Sequence, residues 1–156
     1  MKLAALALGL ALFVVTPQPV TGEATFYGSG VMEQVYAYRV KAGDIRPCPE
    51  CVDMVALLYP DTIGRKVWLE HPDGSVVGPL LVVDCAQKQD VAALVRRKWV
   101  VDVSWRLGHY WAMRGPLDGV TVHFTPPHVR RLLPDRPHNL PKRKPTVWCV
   151  TGICRA

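Results

Sequence analysis

Two stretches of this chain end a β-branched run on a carboxylate, Val82-Val83-Asp84 and Val100-Val101-Asp102, eighteen residues apart. Buried strands rarely finish on Asp, because an ionised carboxylate is costly to desolvate without a partner. If the two strand ends converge, Asp84 and Asp102 are candidates for an acid/base pair. One, its pKa raised by partial burial, would give up a proton; the other would stay ionised and stabilise positive charge. The alternative chemistry is local. Aspartates at strand ends often accept backbone N–H bonds as turn caps, and Asp102-Val103-Ser104 ahead of a helical turn suits that role.

The elements that must position these residues are mostly strands. "ATFYG" (24–28) and "EQVYAYRV" (33–40) carry period-two patterns, the second alternating Val35, Ala37 and Arg39 against Tyr36, Tyr38 and Val40. "DIRPCPECVD" is a loop set by its two prolines, and "MVALLYP" (54–60) is apolar without a clear period. "RKVWLEH", the turn "PDG" and "SVVGPLLVVD" form a hairpin, with Gly78-Pro79 marking an edge or bulge. Asp90 is expected to cap a short helix, "VAALVRRK", and Ser104 a second, "WRLGHYWAM"; "WVVDV" and "VTVHF" are the remaining strands. About six strands and two short helices predict a compact, mostly-β domain. A small closed barrel is the natural way for so many short strands to lose their edges.

The chain ends differ from this middle. Lys2 precedes thirteen largely apolar residues, "LAALALGLALFVV", and then "TPQPVTGEA", the pattern of a secretory signal peptide over 1–22. The run is shorter than the roughly 20 apolar residues an anchor helix needs. Residues 125–156 hold seven of the 19 Lys and Arg but one of the 13 Asp and Glu, so they carry the whole net charge of +6. With their six prolines they predict an extended basic tail over 126–156, able to lie on an anionic surface or merely to solubilise. The domain proper is then 23–125. Five cysteines, Cys48, Cys51, Cys85, Cys149 and Cys154, suit an oxidising compartment. Disulfides are favoured over a zinc site built from Cys48, Cys51, Cys149 and Cys154, and one thiol is left over. The reading calls for no cofactor and no metal, and no specific nucleic-acid motif is present.

In its order of motifs the chain resembles the double-psi β-barrel proteins, and more closely the rare lipoprotein A, expansin and barwin-like branch. "ATFYGSG" (24–30) is similar to that branch's opening Ala-Ser/Thr-Trp/Phe-Tyr-Gly, and "PDTIGRKVWLEHPDGSVVGPLLVVDCA" to its hairpin ending in Asn-Asp-Arg-Gly-Pro. "VVDVSWRLGHYWAM" is similar to its Asp-hydrophobic-Ser segment before a helix. The resemblance covers roughly residues 24–124 and implies a six-stranded double-psi barrel, export, and cell-wall polysaccharide such as peptidoglycan as partner. Three activities are implied by its members: binding of glycan in a groove with paired aspartates, lytic transglycosylation, or a catalytically silent module. Asp84 and Asp102 stand at the family's aspartates. The Arg-Gly-Pro after the first is here Cys85-Ala86-Gln87, and Leu58 falls where the family carries a His. Within that reading one aspartate protonates a glycosidic oxygen and the other supports the sugar cation. Tyr27, Trp105, Tyr110 and Trp111 are candidate stacking faces for sugar, with Tyr36 and Tyr38 behind them, while Trp68 and Trp99 are assigned to the core. His109, beside Tyr110, is a further candidate for contact with the glycan and for proton transfer.

Overall fold

In the computed structural model, residues 17–127, 148–150 and 153–155 are described. Six strands close a mixed barrel: β1 (Val20–Phe26), β2 (Asp53–Leu57), β3 (Lys66–Glu70), β4 (Val76–Cys85), β5 (Trp99–Val103) and β6 (Leu117–His123), in the order β1-β5-β2-β4-β3-β6. β1 runs parallel to β5 and β2 parallel to β4; the other four pairings are antiparallel. This closed mixed order is compatible with a double-psi barrel. A separate two-stranded ribbon, β7 (Trp148–Val150) with β8 (Ile153–Arg155), sets Cys149 opposite Cys154 in register. The expected signal segment lies outside the described residues up to position 16, and so does the basic tail over 128–147. Val20, Thr21 and Gly22 pair with Val122, Thr121 and Val120, so β1 begins ahead of the junction after Gly22.

The barrel is filled by alternate residues of its strands, among them Ala24, Val55, Leu57, Leu80, Val82, Val101, Val103, Val120 and Val122. Residues of opposite phase on β2 and β4, Met54, Ala56, Leu81 and Val83, form a second cluster on the outer face. That second cluster accounts for the largest departure from the sequence reading. Residues 33–40, expected as a strand, belong to α1 (Val31–Ala42). In this segment both phases of the alternation are apolar, so no single strand face is specified. At helical spacing, Met32, Val35, Tyr36 and Val40 fall on one side and cover the outer cluster. Gly30 (φ 77°) and Gly43 (φ 80°) take left-handed conformations at the two ends, and the Gly43 N–H closes on the Arg39 and Val40 carbonyls. Glu33 in the first turn and Arg39 and Lys41 in the last complement the helix dipole.

The domain thus carries three α-helices where two were expected. α2 (Val91–Arg96) and α3 (Trp105–Tyr110) lie where the sequence placed them. Ser104 caps α3 by accepting the Leu107 N–H at 3.1 Å. Asp90 occupies the position ahead of α2 without a side-chain capping bond.

Candidate functional site

One β-bulge decides where Asp84 points. β2 and β4 are in register through Val55 and Val82, but the next pair is Ala56 with Asp84, so β4 holds one extra residue, Val83. Without the slip, Asp84 would keep the phase of Leu80 and Val82 and face the barrel interior. With it, Asp84 shares the outer face of Ala56. Asp102 needs no such device. It alternates with Val101 and Val103, both interior, and pairs with Ala56 on one side and Thr25 on the other. The result is a row across four adjacent strands: Asp84, Ala56, Asp102, Thr25. At the usual strand spacing the two aspartate Cα atoms are about 10 Å apart. The small Ala56 side chain between them leaves the floor low.

This row is the floor of an open groove of about 560 Å³. Tyr27 lines it, as do Ala86, Gln87 and Asp90 of the β4–α2 loop, Ala93 and Leu94 of α2, and Arg97 just beyond α2. Each carboxylate is held by side chains alone. Asp84 Oδ2 accepts the Tyr27 hydroxyl at 3.1 Å, and its Oδ1 faces the Arg39 guanidinium at 3.4 Å. Arg39 reaches it from α1 while also binding Asp44 at 3.1 Å. Asp102 Oδ1 accepts the Thr25 hydroxyl and, at 3.3 Å, the Trp99 indole N–H, which also donates to Thr25 Oγ1 at 2.8 Å. No hydrogen bond reaches Asp102 Oδ2 from the described residues. Among the described residues neither aspartate accepts a backbone N–H, so the capping alternative finds no support there, and at the helix start Ser104 does the capping.

The environments of the two carboxylates differ. Burial pushes the Asp102 carboxyl above the ordinary carboxylate range, and the Asp84 charge adds to this, while the Thr25 and Trp99 hydrogen bonds and Arg97 oppose it. Asp84 instead sits directly against a cation. Burial, followed by the charges of Asp84 and Asp102, raises the Tyr27 hydroxyl and keeps it a donor. The Cys85 thiol, also in the groove, is raised by burial and by Asp84, so it stays protonated and is a poor nucleophile.

Of the residues singled out in the sequence, Asp84, Asp102 and Tyr27 meet in this groove. The α3 residues do not line it. Trp105 packs at a tilt against Phe26 (5.7 Å between ring centroids) and against His109 (4.0 Å), and Trp111 packs on His71 (5.2 Å). Tyr110 is exposed. These side chains follow the Phe26 phase of β1, whereas the groove follows the Thr25 and Tyr27 phase. Three contributors were not expected at the site. Thr25 was detectable, being two residues before Tyr27 on the same strand face. Arg39 was hidden by reading its segment as a strand. Trp99 is buried as expected, but its indole N–H serves the carboxylate.

No protein-family model, curated protein or solved structure matches the chain.

Proposed function

We propose that this protein binds cell-wall polysaccharide, peptidoglycan or a similar glycan, in the Asp84–Asp102 groove, outside the cytoplasm. One observation carries the reading: two carboxylates on one row of the barrel, separated only by Ala56, at the floor of an open groove. Carboxylates accept paired hydroxyl donors, which a sugar ring presents in abundance, and charge-assisted bonds of this kind are the strong ones. Arg97 and Gln87 add donors along the wall. The resemblance to the rare lipoprotein A and expansin-like proteins supports the same partner, and the apolar leader and the Cys48–Cys51 disulfide are consistent with export.

A second reading, glycan cleavage of the lytic type, is favoured by the contrast between the two aspartates. Asp102, raised by burial and with Oδ2 unpartnered among the described residues, is suited to hold a proton and pass it to a glycosidic oxygen. Asp84, beside Arg39 and Tyr27, supplies the anion that faces the developing sugar cation. The sugar's own hydroxyl then closes on the anomeric carbon as the leaving oxygen departs, and its proton returns to the Asp102 carboxylate. This assignment gives the acid's role to Asp102, whose setting ahead of a helical turn had suited a cap.

Co-sedimentation with insoluble peptidoglycan, combined with analysis of released fragments, tests both readings. Binding by the wild-type protein that is lost in Asp84→Asn and Asp102→Asn supports the groove. Soluble fragments from the wild type, absent with Asp102→Asn, add cleavage. Sedimentation unaffected by both substitutions would remove the groove from the account.

A further inference from the structure

The loop between α1 and β2 holds a second chemically competent feature, the disulfide between Cys48 and Cys51 in the run Arg46-Pro47-Cys48-Pro49-Glu50-Cys51. A bridge that spans only three positions removes little chain entropy, so stability is a weak reason for it. The loop is also held without it. The Cys51 N–H donates to the Cys48 carbonyl at 3.2 Å and the Val52 N–H to the Pro79 carbonyl at 2.9 Å. Arg106 clamps the end of the loop by binding the Val52 carbonyl and, at 3.0 Å, the buried Asp53 carboxylate.

The two cysteines are both partly buried but differ in whether they line a cavity. Cys48 lines a surface cavity of about 460 Å³ bounded by the cations Arg46, Arg65 and Lys66 and by the carboxylates Asp44, Glu50 and Asp61, of which Asp44 is paired with Arg39, whereas Cys51 is not part of that wall. Lys66 is paired with Glu50, but Arg46 and Arg65 are exposed and form no ion pair among the described residues. Cationic side chains beside a Cys-x-x-Cys pair favour thiolate over thiol, which makes the bond easier to open. They also attract a reagent bearing carboxylates.

We propose that Cys48–Cys51 is an exchangeable disulfide that reacts with small anionic thiols entering through this cavity, with Cys48 as the sulfur attacked. The incoming thiolate bonds to Cys48 Sγ as the Cys48–Cys51 bond breaks, and Cys51 leaves as a thiolate that takes a proton from water. A second thiolate then attacks the sulfur of the first small thiol. This releases Cys48 as a thiol and carries away the oxidised small-molecule disulfide. Two electrons pass from the two thiols to the protein, and both cysteines end reduced. The outer-face cluster beneath the loop, which Cys48 and Cys51 touch, is already closed by Met32, Ile45, Met54, Leu81 and Val83, so the fold survives the change.

The full chain is incubated with glutathione under native conditions, alkylated, and mapped by peptide mass spectrometry, with circular dichroism recorded in parallel. The expected result is loss of the Cys48–Cys51 bridge with an unchanged spectrum. In Cys51→Ser, oxidised glutathione should label Cys48; in Cys48→Ser it should leave Cys51 largely unlabelled; Arg46→Ala with Arg65→Ala should slow the reaction. A bridge that opens only in denaturant, an opening that unfolds the domain, or preferential labelling of Cys51 would overturn the proposal. The wild-type arms decide even where a cysteine variant fails to fold.

Discussion

At the residue scale the two aspartates are distinguished by what surrounds them rather than by the motif they share. Asp102 is raised because burial disfavours its charge, and its two donors both act on one oxygen. The sign of the stability effect follows. A carboxyl whose folded pKa exceeds its unfolded value near 3.8 binds more protons when folded, so stability falls as pH rises between the two values. Above that window the buried charge is a standing cost. Asp102→Asn, which can still accept from Thr25 and Trp99 through its carbonyl, should melt a few degrees higher than the wild type at pH 7, about 4–8 °C for each 1 kcal/mol recovered. The gap should close below about pH 4. Melting curves across pH check this, and a variant less stable at neutral pH would contradict it. Arg39 acts on the other aspartate. Arg39→Met removes the cation but keeps much of the stem, so it should weaken glycan binding by about tenfold, equivalent to ~1.4 kcal/mol, while melting shifts little. Co-sedimentation against a glycan series reads the first effect, calorimetry the second.

At the element scale, β1, β3 to β6 and the short helices α2 and α3 were legible in the sequence because each had one dominant period or one turn signal. β2 was not, since "MVALLYP" is apolar without a clear period. Nor was α1, since "EQVYAYRV" is apolar in both strand phases and its helical face only becomes definite once the outer cluster of β2 and β4 exists to receive it. The bulge at Val83 was equally hidden. Nothing in "LLVVDC" marks the extra residue, and yet it alone decides whether Asp84 faces the core or the groove. Convergence of the two "VVD" ends was readable; their partners were not, because Arg39 and Trp99 act through tertiary contacts. The start of β1 gives a further test. A Cβ on Gly22 would lie 2.0 Å from the Lys98 carbonyl oxygen and 2.7 Å from Val100 Cγ1. Gly22→Ala should therefore destabilise the protein by about 1–3 kcal/mol, measured by the denaturant midpoint. Removal of a leader by a cut after Gly22 would take the position away and leave stability unchanged by the substitution. At the far end of α1, Gly43→Ala places a side chain at φ 80° and should cost about 1 kcal/mol by the same measurement.

At the scale of the whole molecule, charge and fold are separable. All six barrel strands lie between Val20 and His123, whereas the net charge of +6 belongs to residues 125–156. A chain ended at residue 127 should keep its melting temperature and lose only the salt-sensitive part of its binding to anionic wall polymer, a loss that 0.5 M salt should reproduce in the full chain, the Debye length being ~3 Å at 1 M and ~10 Å at 0.1 M. What remains after that subtraction is the contribution of the groove. The most direct measurement is a titration of the full chain with soluble peptidoglycan fragments, followed by backbone and indole N–H chemical shifts. The Trp99 indole N–H bonds to both Thr25 and Asp102, so it reports from the floor of the site. Saturable shifts are expected at Trp99 Nε1–H and at the amides of Thr25, Ala56, Asp84 and Asp102, abolished in Asp84→Asn. Shifts confined to α3, around Trp105 and Tyr110, or saturation unaffected by Asp84→Asn, would contradict glycan binding in the groove.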